Sequence, residues 1–232
     1  PVEAALEDTN VTDVDFVASP LAEMLFLFDD FRRDRGVMFA DAGAFGTTFV
    51  IGRGDGICRQ YFFPWGGDRI TLALSENLDI SMREADKLKR QVSLTVEPNY
   101  IPPDDEQGFM QTEYTVDCDY DKHVYSVKEV NEIVKTEILR FARYVEKTLK
   151  VCDYALPETS VLAVTGGGLS IRGATDYLGK CLNREVELVR PSLPLFDKPY
   201  LSSSLAVMDM VLSGESAYNG PAGKFRRLFA KR

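Results

Sequence analysis

Histidine is almost missing from this 232-residue sequence: His123 stands alone, and Trp65 is the single tryptophan. The four cysteines (Cys58, Cys118, Cys152, Cys181) are far apart, and none forms a C-x-x-C pair. Zinc sites and Ser-His or Cys-His catalysis therefore lack their residues, and scattered thiols suit a reducing, cytoplasmic setting. No apolar run approaches the ~20 residues of a membrane-spanning helix. Cations are outnumbered, with 27 Lys and Arg against 36 Asp and Glu and a net charge of -9. That balance opposes nucleic-acid binding, which draws its affinity from neutralising phosphates. The chain opens on Pro1 without an initiator Met or a signal-peptide pattern, so we read it as one part of a longer polypeptide. What is present, 45% hydrophobic and 27% charged residues, suffices for one large domain or two small ones with a core that needs no disulfide or metal.

The pattern along the chain predicts a helix over 2–10, a short strand at Asp15–Ala18 and a helix from Pro20 to about Phe31. Three strands follow at 37–41, 47–51 and 57–63, the last two joined by the glycine-rich Gly52–Gly56 connection. Gly66-Gly67-Asp68 opens a helix to Leu78, and Ser81 with Glu84 forms a capping box for another, to about Val92. Residues 97–121 read as a proline-rich loop and hairpin. A second capping box, Ser126 with Glu129, precedes a long helix whose Val127, Val130, Val134, Ile138, Phe141, Val145 and Leu149 share one face. The apolar strand Val161–Val164 then runs into Thr165-Gly166-Gly167-Gly168, followed by a helix over 172–182, a strand over 185–189 and a last helix over 202–212. An antiparallel meander followed by a parallel crossover implies an α/β fold with a mixed sheet covered by helices.

Two glycine-rich turns could carry chemistry. Asp41-Ala42-Gly43-Ala44-Phe45-Gly46-Thr47-Thr48 lies between two strands. Glycines there let backbone N–H groups converge on an anion, and an acid at the strand end can hold a hydrated metal. The plain alternative is a hairpin turn with a helpful Asp. Gly166-Gly167-Gly168-Leu169-Ser170 follows a buried strand and precedes a helix, which fits a nucleotide-binding turn or a tight turn that merely needs glycine. It is not the G-x-G-x-x-G dinucleotide fingerprint.

Two further segments, Ser19-Pro20-Leu21-Ala22-Glu23-Met24-Leu25 and Ser203 to Gly214, bracket these turns. In this order the four resemble the second half of an actin-like ATPase of the actin, Hsp70 and hexokinase superfamily. They correspond to its first connecting helix, second phosphate loop, adenosine motif and second connecting helix. Gly66-Gly67-Asp68-Arg69-Ile70-Thr71, Glu84 to Lys89 and the spacing to the long helix resemble the FtsA family of bacterial cell-division proteins in particular.

The resemblance implies a ribonuclease-H-like α/β fold with a mixed five-stranded sheet and an inserted helical and hairpin subdomain. Residues 1–35 would end a first domain, 36–67 and 151–223 would form the core of the second, 68–150 the insertion and 224–232 a basic tail. It also implies ATP and Mg²⁺ in a cleft between two halves, of which this chain carries one wall. Asp41 matches the acid that holds the metal's water, Gly43, Gly46, Thr47 and Thr48 match the phosphate loop, and Gly167, Gly168 and Ser170 match the adenosine turn. Asp86 and Lys89 match positions that reach ribose and adenine in relatives; their alternative is a solvated i, i+3 charge pair. Departures from the family pattern are a phosphate loop one residue longer from Asp41 to its first Thr, with Ala44 and Phe45 intruding among its glycines, and Ser19 where the connecting helix usually begins with Glu. One carboxylate fewer weakens a Mg²⁺ site, so ATP binding is expected, with hydrolysis weak or absent. Phe45 and Trp65 read as packing residues and His123 as a surface residue without a role.

An FtsA-like protein would polymerise and link an FtsZ-type, tubulin-like filament to the inner face of the cell membrane. Lys135, Arg140 and Arg143 on the long helix are the candidates for an acidic partner peptide. In the tail, Phe225, Leu228 and Phe229 would gather on one helical face beside five basic residues, as in an interfacial anchor, or would pack as a final helical turn. The alternative function is a scaffold of the same fold with a degenerate nucleotide site, or a pilus-assembly, MreB or chaperone-type relative.

Overall fold

A computed structural model describes residues 16–95, 113–117, 121–154 and 160–217, with side chains to 213. The helix read at 2–10, the loop at 97–112, Cys118 and the basic tail lie outside the described residues. Strands β1 (Val37–Ala42), β2 (Thr47–Arg53), β3 (Gly56–Phe63), β6 (Leu162–Thr165) and β7 (Val186–Leu188) form one sheet in the order β3-β2-β1-β6-β7. β1, β2 and β3 pair antiparallel, whereas β6 joins β1 and β7 in parallel. The sheet is thus five-stranded and mixed. Strands β4 (Glu113–Asp117) and β5 (Lys122–Ser126) make a separate hairpin.

Among the described residues seven α-helices surround the sheet: α1 (Ser19–Leu27), α2 (Asp30–Arg35), α3 (Gly67–Leu78), α4 (Met82–Gln91), α5 (Val127–Val151), α6 (Ala174–Leu182) and α7 (Ser202–Ala217). Central strand β1 is buried on both faces, and its side chains alternate between two cores. Met38, Ala40 and Ala42 face the large core under α3, α4, α5 and α6, while Val37 and Phe39 face a smaller one with Met24 and Phe28 of the α1 region. Helix α5, about 37 Å long at 1.5 Å per residue, buries Val127, Val130, Val134, Ile138, Phe141 and Val145 completely, with Leu149 half-buried. Phe141 wedges between Trp65 (ring centroids 4.6 Å apart) and Phe63 (5.6 Å). Trp65 is a packing residue, fully buried.

Four expectations need correction. Phe16 to Ala18 pair with no strand among the described residues, and Phe16 is exposed. The helix expected to run to Phe31 stops at Leu27, and a second one starts because Asp29 accepts a hydrogen bond from the Arg32 N–H (2.8 Å), a standard N-cap. Buried Arg33 fixes the break by donating to the Phe28 carbonyl (2.5 Å) and pairing with Asp55 on the β2–β3 turn (2.9 Å). Ser81 caps α4 as read, but Ser126 makes no side-chain cap bond to α5. Phe45 does not pack; it is 83% exposed.

Candidate functional site

Three glycine-bearing loops meet at the carboxyl ends of β1 and β6, and their backbones bond to one another. The Gly168 N–H donates to the Ala42 carbonyl (2.6 Å), the Gly67 N–H to Gly43 (2.9 Å) and the Asp68 N–H to Ala44 (2.9 Å). Contacts this close require missing side chains. A Cβ on Gly166, whose φ is +83°, would sit 2.4 Å from the Ala42 oxygen and from Asp41 Oδ1, and one on Gly168 would sit 2.6 Å from the Gly43 oxygen. Gly167 is different: it is exposed, and its nearest neighbour would be Tyr200 Cβ at 3.3 Å. Beside these loops lies a cleft of about 410 Å³, whose lining includes Asp41, Gly43, Asp86, Lys89, Gly167, Gly168 and Ser203.

Charge in this wall is organised. Lys89 Nζ reaches Thr71 Oγ1 (2.7 Å), the Gly67 carbonyl (3.3 Å) and Asp86 (3.2 Å), and Asp86 also pairs with Arg90 (2.8 Å). Partial burial draws the Asp86 carboxyl upward, yet hydrogen bonds from Arg90 and Lys89 outweigh it and hold the group below the usual carboxylate range. The pair is therefore part of the cleft, because Lys89 ties α4 to the first turn of α3.

A second acid emerges that sequence reasoning missed. Glu23 of α1 is 1% exposed, and it meets Asp41 and Ser203. Burial, then the Asp41 charge, push its carboxyl up to about 8, and burial likewise raises Asp41. The available signal was an acid between Ala22 and Met24 in an otherwise apolar helix segment, one turn beyond Ser19. A carboxyl raised from 4.5 to about 8 on folding contributes stability that is full below the unfolded value and lost as pH rises through the folded one. We expect the melting temperature to drop by roughly 5 °C between pH 6 and pH 9, and Glu23→Gln to flatten that slope. Circular dichroism melts of the two proteins check this; parallel curves refute it.

The sequence model of the family described as "Cell division protein FtsA" matches residues 38–206, well over half of the chain. The chain belongs to the FtsA family. The FtsA protein of Bacillus subtilis (strain 168) is 23% identical over 188 residues, covering 81% of this chain and 41% of that protein. MreB5 of Spiroplasma citri bound to ADP superposes with a TM-score of 0.68 at 13% identity, covering 94% of this chain and 66% of its own. Ethanolamine utilization protein EutJ from Carboxydothermus hydrogenoformans gives 0.56 at 19%, covering 82% and 53%. These structures establish the fold, that of the actin-like ATPases. The chain spans less than half of its curated FtsA relative and between half and two thirds of these solved chains.

Of the residues read from the FtsA resemblance, Asp41, Gly43, Asp86, Lys89, Gly167 and Gly168 come together on the cleft. Gly46, Thr47, Thr48 and Ser170 are not in its lining. Thr47 is fully buried and donates its hydroxyl to the Trp65 carbonyl (2.7 Å), Ser170 donates to the Gly166 carbonyl (3.1 Å), and Gly46 lies under the Phe62 ring. Thr48 is half-buried, in register with Asp41. Lys135 and Arg140 make separate contacts. Lys135 pairs with Glu132 and lies over the Tyr177 ring of α6, whereas Arg140 pairs with Glu137 and lines a groove between α3 and α5; Arg143 is exposed. His123, read as a residue without a role, contacts Glu84, which also accepts a bond from Tyr125.

Proposed function

We propose that this chain supplies one wall of an ATP site in an FtsA-type protein that self-associates and engages an FtsZ-type, tubulin-like partner. The observation that carries the reading is the convergence of three glycine loops, Asp41 and the Asp86–Lys89 pair on one cleft. The ADP in the MreB5 relative supports it. Gly43, Gly167 and Gly168, lacking side chains, would let the nucleotide approach the backbone closely, and Asp86 and Lys89 would face ribose and adenine. The residues also fit Mg²⁺, since Asp41 lies beside a buried Glu23 whose Oε1 lacks a hydrogen-bond partner. Mg²⁺ would supply charge neutralisation at the phosphates, while Asp41 would orient its waters. Titrating ATP and Mg²⁺ into the full-length protein tests this: saturable binding is expected, with slow or absent hydrolysis, and no heat of binding refutes it.

A second reading, a scaffold with a degenerate site, is favoured by the Thr47 hydroxyl and the Gly67, Asp68 and Gly168 N–H groups. All four are already engaged within the chain, which leaves fewer donors for phosphate. The same titration separates the two readings.

The inserted segment 68–150 is the proposed partner surface. The α3–α5 groove, about 290 Å³ and lined by Arg69 and Arg140 among others, suits an acidic and apolar peptide tail. Reversing Arg140 and Arg143 to Glu should weaken a labelled FtsZ-type tail about tenfold in fluorescence anisotropy. Lys135→Glu should matter less, because Lys135 faces Glu132 and Tyr177. Unchanged affinity after all three reversals rejects the surface. For residues 224–232 we propose contact with the cytoplasmic membrane face. More full-length protein than a variant ending at Gly223 should co-sediment with anionic vesicles, and equal pelleting rejects the anchor.

A further inference from the structure

Leu195 stands where the backbone calls for glycine. The Phe196 N–H donates to the Leu193 carbonyl (3.1 Å), closing a β-turn with Pro194 and Leu195 at its centre, and Leu195 has φ +70°. Proline followed by a positive φ is the type II pattern, whose third residue is normally glycine because an L side chain is strained there. Among the described residues the other non-glycine positive φ angles belong to Asp79 and Asn183. Both are helix C-caps with short polar side chains, which tolerate the left-handed region. Leu195 caps no helix, and its side chain is 92% exposed, so no packing within the chain offsets the strain. Leu193 and Phe196 on the same turn are exposed too. Pro191, Pro194 and Pro199 stiffen the loop from β7 to α7, which holds this apolar tip out in one shape. A strained, exposed apolar residue on a stiff loop suits a contact outside the chain.

We infer that the Leu193–Phe196 tip docks into the α3–α5 groove of a second copy of this chain. Charge complementarity selects that occupant. The loop carries Arg190 and Lys198 on either side of the tip, and both lie near its single acid, Asp197 (3.5 and 3.8 Å). The groove has the opposite balance, with Glu76, Glu132 and Glu137 against Arg69 and Arg140. Arg140 already holds Glu137 (2.5 Å), and Glu132 has only an exposed pair with Lys135 (3.1 Å), of a kind that exchanges at little cost. Glu76 and Glu132 are thus left for the two cations of the loop, and Arg69 for Asp197. Leu72 and Ile133 give the same groove an apolar wall for the tip. Because loop and groove are different patches, the contact is heterologous and runs head to tail from copy to copy. The inference rests on the self-association proposed above and gives it two surfaces. A partner tail in the groove and a second copy would exclude one another.

Sedimentation velocity of the full-length protein with ATP and Mg²⁺, over a concentration series, tests the contact. The parent should self-associate. Leu195→Gly should weaken association at least about tenfold yet melt no lower than the parent, since glycine relaxes the turn. The double reversal Arg190→Glu with Lys198→Glu should weaken association as much, and so should Glu76→Lys with Glu132→Lys. Mixing those two proteins in equal amounts should restore association, because each reversed loop then meets a reversed groove and each parent loop a parent groove. Parent-like association of Leu195→Gly overturns the docking, and so does a mixture that stays dissociated. A parent that remains monomeric removes the self-association reading and the docking together; association that ignores Leu195 and the four charges removes the docking alone. If Leu195→Gly associates like the parent but no longer pellets with anionic vesicles, the tip is a lipid contact and the second copy is excluded from it.

Discussion

Gly167→Val should weaken ATP binding by the full-length protein at least about 100-fold while shifting its melting temperature by no more than about 3 °C. Gly167 is the exposed residue of the triple-glycine turn that lines the cleft, so a β-branched side chain there occupies ligand space and meets little protein. The contrast is Gly168→Val, whose Cβ would press within 2.6 Å of one backbone carbonyl and 2.8 Å of another, and which should destabilise the fold outright. Isothermal titration calorimetry and thermal melts on both variants give the pattern. Parent-like ATP affinity in a folded Gly167→Val protein would remove the cleft from consideration as the nucleotide site.

Phe141→Ala should cost about 3–5 kcal/mol, a fall in melting temperature of roughly 10 °C. The ring is completely buried at the centre of α5, tilted against Trp65 and edge-on to Phe63, whose other side stacks on Tyr144. Truncation would open a cavity beside the Trp65 and Phe63 rings, which are too firmly held to collapse into it. Since Trp65 immediately precedes Gly66-Gly67, the loss should also loosen the start of α3. Denaturant unfolding measures the cost, and a change under about 1 kcal/mol would mean that the aromatic cluster repacks freely.

How much of this was legible in the sequence depends on how local each cause is. Strands β1 to β3 and helix α5 follow from period-2 and period-3.6 patterning and from glycine turns, all within a few residues, and each was readable. The Ser81 cap was equally readable, because donor and acceptor lie three positions apart. The break after Leu27 was not. Leu25, Leu27, Phe28 and Phe31 continue an apolar pattern straight through it, and the residue that enforces the stop, Arg33, acts through Asp55 on a distant turn. Glu23 was hidden for the same reason: an acid in an apolar helix segment acquires meaning only when β1 brings Asp41 and α7 brings Ser203 beside it. The cleft lay between these extremes. The glycine turns marked where it is, but only tertiary packing sorts Gly167, which is open, from Thr47, whose hydroxyl is engaged with Trp65.

The bonding of Ala42, Gly43 and Ala44 has a mechanical consequence. Three successive carbonyls accept N–H groups from two different segments, the turn after β6 and the first turn of α3. Residues 42–44 therefore act as an axle to which both segments are pinned. A ligand that displaces this backbone by an ångström must either break these bonds or carry α3 with it, and α3 packs directly on α4 and α5. Occupancy at the cleft would thereby be geared to the orientation of the helices that wall the α3–α5 groove, over a path only three hydrogen bonds wide.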